Sequence, residues 1–224
     1  MSREPFETHV RVVPLTLERS ALLPKHAQQC LFWEFDSKTG DQIGGGMDAR
    51  FEKEAWLSSV LLQWGPCGQL AVVGEGEQER GVGQICYAPP GMVSRVEEFP
   101  TAPVSPDAVL ITYAGVEDGH DFDEVATPLL LASIADLASR GVRAVEAFGR
   151  EDEADADEDT KRCVNPSEFF KAAGFSVAAA HRHYPRLRLE LGGTGLLWRA
   201  SVEEALAELV EEARLRPLLV GASS

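Results

Sequence analysis

Between an apolar run that reads as a strand and another that reads as a helix lies the sequence EDGHDFDE, Glu117 to Glu124. It holds five carboxylates and one imidazole. Two chemistries suit such a turn. A hard cation takes oxygen ligands from clusters of this kind, as calcium and magnesium do; the spacing does not match an EF-hand loop, and clustered carboxylates are ordinarily solvated. The second chemistry follows from position. Where a strand feeds a helix, free backbone N–H groups at the helix start attract anions, pyrophosphate above all. A second cluster, His181-Arg-His-Tyr-Pro185, joins a side chain that titrates near neutrality to a phenol, the makings of a proton relay. The same letters also suit an exposed hairpin turn flanked by Arg182 and Arg186.

The elements that must position these residues follow from periodicity and breakers. His9 to Leu15 reads as a first strand ending near Pro14, and Thr16 through Phe35 as helix interrupted near Pro24. Residues 38–48 read as a flexible glycine-rich loop. Its three glycines, Gly44 to Gly46, lack both the preceding strand and the Lys-Ser/Thr of a phosphate loop. Arg50 to Trp64 is a helix closed by Gly65-Pro66. Gln69 to Val73 and Gly81 to Tyr87 form a hairpin around GEGEQER, and Ala108 to Val116 is a buried strand. After the acidic turn, Thr127 reads as an N-cap with Pro128 at the first helical position, and the helix runs to about Ser139. Val142 to Phe148 completes a βαβ unit.

Residues 150–162 read as an acidic, disordered insert, because Glu151 to Asp159 carries seven carboxylates that repel one another and bury nothing. A short helix over Pro166 to Ala173 precedes two last strands, Phe175 to His181 and Arg186 to Leu191. A terminal helix is expected over 200–215, where Ser201 and Glu204 make a capping box. The whole chain, 1–224, reads as one α/β (α+β) domain.

Charge narrows the partners. A formal net charge of -15 repels phosphate backbones and anionic lipid, so nucleic acid and membranes are excluded and a basic partner or cationic amine is favoured. Cys30, Cys67, Cys86 and Cys163 show no CxxC spacing, so neither zinc nor a disulfide framework is expected. Reduced thiols, no apolar signal segment and no membrane-length window together make a cytoplasmic protein the expectation.

From about Val10 to about Leu191 the element order resembles the GNAT superfamily of acetyl-CoA-dependent N-acetyltransferases. The local matches are GQICYAP (Gly83 to Pro89), DAVLITYAGV (Asp107 to Val116), ASRGVRAVEAFG (Ala138 to Gly149) and FFKAAGF (Phe169 to Phe175). The resemblance implies a mixed, mostly antiparallel central sheet flanked by helices, an acetyl-CoA cofactor and an amine acceptor, with a homodimer compatible with the family. It implies that the backbone of Thr112, Ala114 and Val116 pairs with the pantetheine arm. It also implies that Val125, Ala126 and Thr127 face the pyrophosphate from the helix start.

The family's turn reads Arg/Gln-x-x-Gly-x-Gly/Ala, and the matching positions here run Asp121 to Ala126. Only Ala126 fits. Asp121 replaces the basic or amide residue and Glu124 the first glycine. Two like charges ~6 Å apart at an effective dielectric of about 40 repel by on the order of 1 kcal/mol, which sets the scale of each carboxylate's effect on a pyrophosphate. The family's general acid, a tyrosine four residues before the Gly of a Gly-Phe pair, is Phe170 here. By position, Glu117 is the candidate base, with Glu146 second, and Tyr184 with His181 is the candidate replacement acid. Two functions follow: an N-acetyltransferase acting on an amine, or a GNAT fold that has given up ordinary cofactor binding and works as a binding or regulatory protein.

Overall fold

A computed structural model describes residues 10–43, 47–151 and 157–191. The strands are β1 (Arg11–Pro14), β2 (Gly68–Val73), β3 (Arg80–Ala88), β4 (Ala108–Val116), β5 (Ala144–Phe148), β6 (Ser176–Ala179) and β7 (Arg186–Glu190). They form one sheet in the order β1-β2-β3-β4-β5-β7-β6, with every neighbouring pair antiparallel except β4 and β5. The helices are α1 (Lys25–Gln29), α2 (Ser37–Ile43), α3 (Met47–Gln63), α4 (Phe122–Ser139), α5 (Glu158–Cys163) and α6 (Ser167–Ala172).

Helices cover both faces of the sheet, so its central strands are buried along nearly their whole length instead of alternating between buried and exposed. Period-two geometry sends Cys86, Ala88 and Leu110 to one side, where they meet Leu23 and Ala27 near α1 and Leu57 and Val60 of α3. It sends Ile85, Tyr87 and Ile111 to the other, against Val125, Leu129, Leu130 and Ile134 of α4. Gly83 is required at the second interface. A Cβ there would lie 2.6 Å from Val125 Cγ1 and 3.1 Å from the Gly115 carbonyl oxygen, so α4 rests directly on the backbone of β3.

The feature that matters most for function is a fork. β4 pairs with β5 only through Ala108–Leu110 against Ala144–Glu146. From Ile111 onward, β4 keeps its β3 partner and has no β5 partner. A register shift between Cys86 and Tyr87 of β3 lies where the strands part, as bulges do where a sheet bends away from its neighbour.

Several expectations are corrected. Helix α4 begins at Phe122, not Pro128, because the Asp121 carboxylate accepts a hydrogen bond from Glu124 N (3.0 Å) and so caps the helix ahead of the expected Thr127. Asp123 and Glu124 then sit in the first turn, where the helix dipole favours negative charge. Pro128 lies inside the helix and is tolerated there because Val125, Ala126, Leu129 and Leu130 are all buried. The loop expected over 38–48 contains α2 and the start of α3; Asp36 begins α2 by accepting from Thr39 N and Oγ1 (3.1 and 2.7 Å). Of the acidic insert, residues 157–162 belong to α5 and its cap, with the Asp157 carboxylate accepting from Thr160 N at 2.7 Å; residues 152–156 lie outside the described part. The long helix expected over Thr16 to Phe35 reduces to a single 3-10 turn at Ser20–Leu22 and α1. The helix expected over 200–215 also lies outside the described residues. Among the described residues, no helix is long and apolar enough to cross a membrane.

Candidate functional site

Inside the fork, the backbone of Ala114 points away from β3 and is met by a side chain. The Asn165 carboxamide accepts from Ala114 N and donates to Ala114 O, both at 2.8 Å. Asn165 is held in turn by its own carbonyl, which accepts from Arg150 N (2.9 Å). Its neighbour Pro166 makes an isolated parallel bridge with Arg150, just past β5. The segment before α6 therefore reaches into the gap and offers β4 an amide in place of a strand. Thr112 sits beside it, with its hydroxyl donating to Cys86 O at 3.1 Å, and Val116 is half-buried at the open end.

The helix start after the fork is built differently from expectation. In a helix beginning at Phe122, the N–H groups of Ala126 and Thr127 bond to carbonyls four residues back, and that of Val125 bonds to Asp121. These three residues therefore offer no free donor. Val125 and Ala126 are buried against the sheet instead. The donors left are those of Phe122 and Asp123, because Glu124 N is already taken by the Asp121 carboxylate. The Asp121 carboxylate thus takes one of the helix-start donors that an external anion would use.

Each of the expected acid and base residues has partners within the fold. The Glu117 carboxylate accepts from Lys25 N (3.0 Å), which ties the end of β4 to the start of α1. Glu146 is fully buried between Arg186 and Arg188 and also accepts from Ser105 N (3.1 Å). Burial pushes its carboxyl upward, but the hydrogen bonds from Ser105, Arg186 and Arg188 outweigh that and hold it below the usual carboxylate value. His181 Nδ1 accepts from His183 N and Tyr184 N (3.2 and 3.1 Å) and so shapes the turn. The structure brings His181 and Tyr184 together as stacked rings 6.4 Å apart, and Tyr184 also packs edge-on against Phe99. Phe170, at the general-acid position, is fully buried against α4 and the sheet.

Sequence reading missed a third group. His26 and Cys30 lie four residues apart at α1, and Cys163 at the end of α5 comes up against them from far along the chain. Cys30 Sγ lies 3.3 Å from Cys163 Sγ, which lies 3.4 Å from His26 Nε2. The hydrogen bond from Cys163 is the main reason the Cys30 thiol lies far below its ordinary value, despite burial acting the other way. By contrast, burial pushes the Cys86 thiol up to about 11. Nearby, Lys53 and Glu34 form a buried ion pair, and Lys53 Nζ also donates to Cys30 O (3.0 Å). The only sequence signal was the His-x-x-x-Cys spacing, which places both residues on one helix face.

These three side chains line a cavity of ≈ 560 Å³ whose wall also includes Phe35, Asp36, Asp41, Arg95 and Asp157. Three carboxylates against one guanidinium give its mouth a negative field. Tyr113 of β4 contacts the edge of the His26 ring, so the cavity wall adjoins the strand that forms the fork.

No protein-family model and no curated protein sequence matches the chain. Solved structures do. yncA from Salmonella typhimurium, solved with its cofactor acetyl-CoA, aligns at a TM-score of 0.53 and 12% identity over 83% of this chain and 96% of its own. An acetyltransferase of the GNAT family from Streptococcus pneumoniae aligns at 0.51 and 12% over 82% of this chain and 100% of its own. An N-acetyltransferase from Staphylococcus aureus Mu50 aligns at 0.50 and 11% over 82% and 99%. Its strand order, its forked centre and these likenesses give this chain the fold of the GNAT acetyltransferases.

Proposed function

We propose that the chain transfers an acetyl group from acetyl-CoA to a cationic amine, with the fork taking the pantetheine arm and the acid-lined cavity taking the acceptor. The pair of bonds between Asn165 and Ala114 carries this reading. A carboxamide already satisfies the donor and acceptor of β4, and an amide of pantetheine offers the same two groups once Asn165 swings aside. Acetyl-CoA would bring the activated thioester, and the protein would orient it against an amine held by Asp36, Asp41 and Asp157. The fit is partial. The fork suits the amide arm, whereas the helix start, with Asp121 on its free N–H and Asp123 and Glu124 beside it, does not suit the diphosphate.

That mismatch favours a second reading, in which the fold serves as a binding or regulatory protein for a basic partner. Isothermal titration with acetyl-CoA and, separately, with S-acetylpantetheine distinguishes the two. The first reading expects binding in the micromolar range for both, with little advantage to the full cofactor, and thiol release when a polyamine is added. Absence of heat with either ligand at millimolar concentration would leave the second.

A further inference from the structure

We propose that His26, Cys30 and Cys163 bind one zinc ion, with its fourth coordination position open to the cavity. The three donor atoms all lie within 4.8 Å of one another. Two thiolates and an imidazole around tetrahedral zinc stand about 3.8 Å apart sulfur to sulfur and about 3.5 Å sulfur to nitrogen, given metal–ligand bonds of about 2.3 and 2.0 Å. The two separations that involve Cys163 are 3.3 Å and 3.4 Å, within about half an ångström of those values, and the third pair stays inside the same 4.8 Å limit. A disulfide between the same thiols would require the sulfurs to close by more than about 1 Å.

The surroundings already fix the ligands. Trp33 Nε1 donates to Cys163 O (2.8 Å), Lys53 Nζ to Cys30 O (3.0 Å), and Cys30 N to His26 O (2.8 Å), so the backbone of each cysteine is held. Two thiolates balance the charge of a divalent ion. Three protein ligands leave the site incomplete, as in zinc centres that act on a ligand rather than only hold a fold. The cavity of ≈ 560 Å³ supplies the remaining direction, where a water or an anionic or thiol-bearing ligand would complete the tetrahedron. This site rests on side-chain geometry alone and stands whether or not acetyl transfer does.

The test uses the full chain, purified reduced, stripped with a chelator, and titrated with zinc against a chromophoric competitor. One zinc per chain is expected, and cobalt in its place should give thiolate-to-metal charge-transfer absorption with a tetrahedral ligand-field spectrum. Cys30→Ser and His26→Gln, both at half-buried positions, should each weaken zinc by more than about 100-fold, beyond what a change outside the ligand set produces. Cys67→Ala should leave it unchanged. Absence of a charge-transfer band from protein whose thiols titrate as fully reduced would overturn the proposal, and that readout needs no variant. Equal zinc affinity in the Cys30→Ser protein would overturn it too, as would oxidation of Cys30 and Cys163 to a disulfide at a rate zinc does not slow.

Discussion

Replacing Asn165 with alanine is the most direct test of how the fork is held open. The side chain makes two bonds of 2.8 Å to Ala114, and both residues are inaccessible, at 3% and 0% exposure. Truncation leaves a buried N–H and a buried C=O without partners, each costing about 1–3 kcal/mol. Water reaching the gap moves the sum toward its lower end, so about 3 kcal/mol is expected, a fall in melting temperature of roughly 6–12 °C for a domain this long. The assay is urea unfolding with and without pantetheine. The ligand should recover much of the loss, because its amides replace those of the missing side chain. Binding to the variant should also be stronger than to the parent, by at most about 100-fold, since no residue has to be displaced. A variant within about 1 kcal/mol of the parent, with unchanged pantetheine binding, would refute the idea that Asn165 stands in for a bound amide.

Further tests follow from the helix start and the ion network. Asp121→Ala should destabilise the fold by about 1 kcal/mol through loss of the N-cap, measured by denaturant midpoint. Asp121→Arg combined with Glu124→Gly should raise acetyl-CoA affinity in calorimetry without improving S-acetylpantetheine, since only the diphosphate half feels the change. Gly83→Ala should lower stability by about 1–3 kcal/mol, because the added methyl collides with Val125 and shifts α4. Glu146 has a folded pKa below its unfolded one, so its contribution is present above the ordinary carboxylate value and lost as pH falls through the folded value. Glu146→Gln should therefore flatten the acid side of a stability–pH profile while lowering stability at neutral pH; an unchanged acid limb would refute this.

The centre of the sheet is legible because β2, β4 and β5 are short, mostly apolar runs with turn residues between them. β4 ends where the letters say, at Val116, since the acidic residues that follow cannot be buried. Local competition was harder to read. Thr127-Pro128 is a good helix start by itself, but Asp121 offers an earlier cap and the apolar face beyond it rewards the longer helix. The same holds for Lys38 to Ile43, where Asp36 caps a turn rich in weak helix formers. Periodicity does not report tertiary neighbours. Cys30 and Cys163 meet only because α5 returns to α1, and no spacing rule for metals spans 133 residues. Glu117 and His181 are correctly placed at the ends of strands, yet their side chains serve to fasten turns and helix ends, a use their residue types do not announce.

One of those fastenings has a mechanical corollary. The carboxylate of Glu117 grips the first turn of the short helix that carries His26 and Cys30. A guest that recruits that carboxylate at the mouth of the fork must compete with Lys25 N, and so loosens one of the ties on α1 while Lys53 still holds the Cys30 carbonyl. To the extent that the two are linked, reciprocity makes the effect mutual: a ligand that steadies the start of α1 also makes Glu117 harder to recruit. The fork and the cavity beside it are thus joined by this hydrogen bond as well as by the contact of Tyr113 with His26.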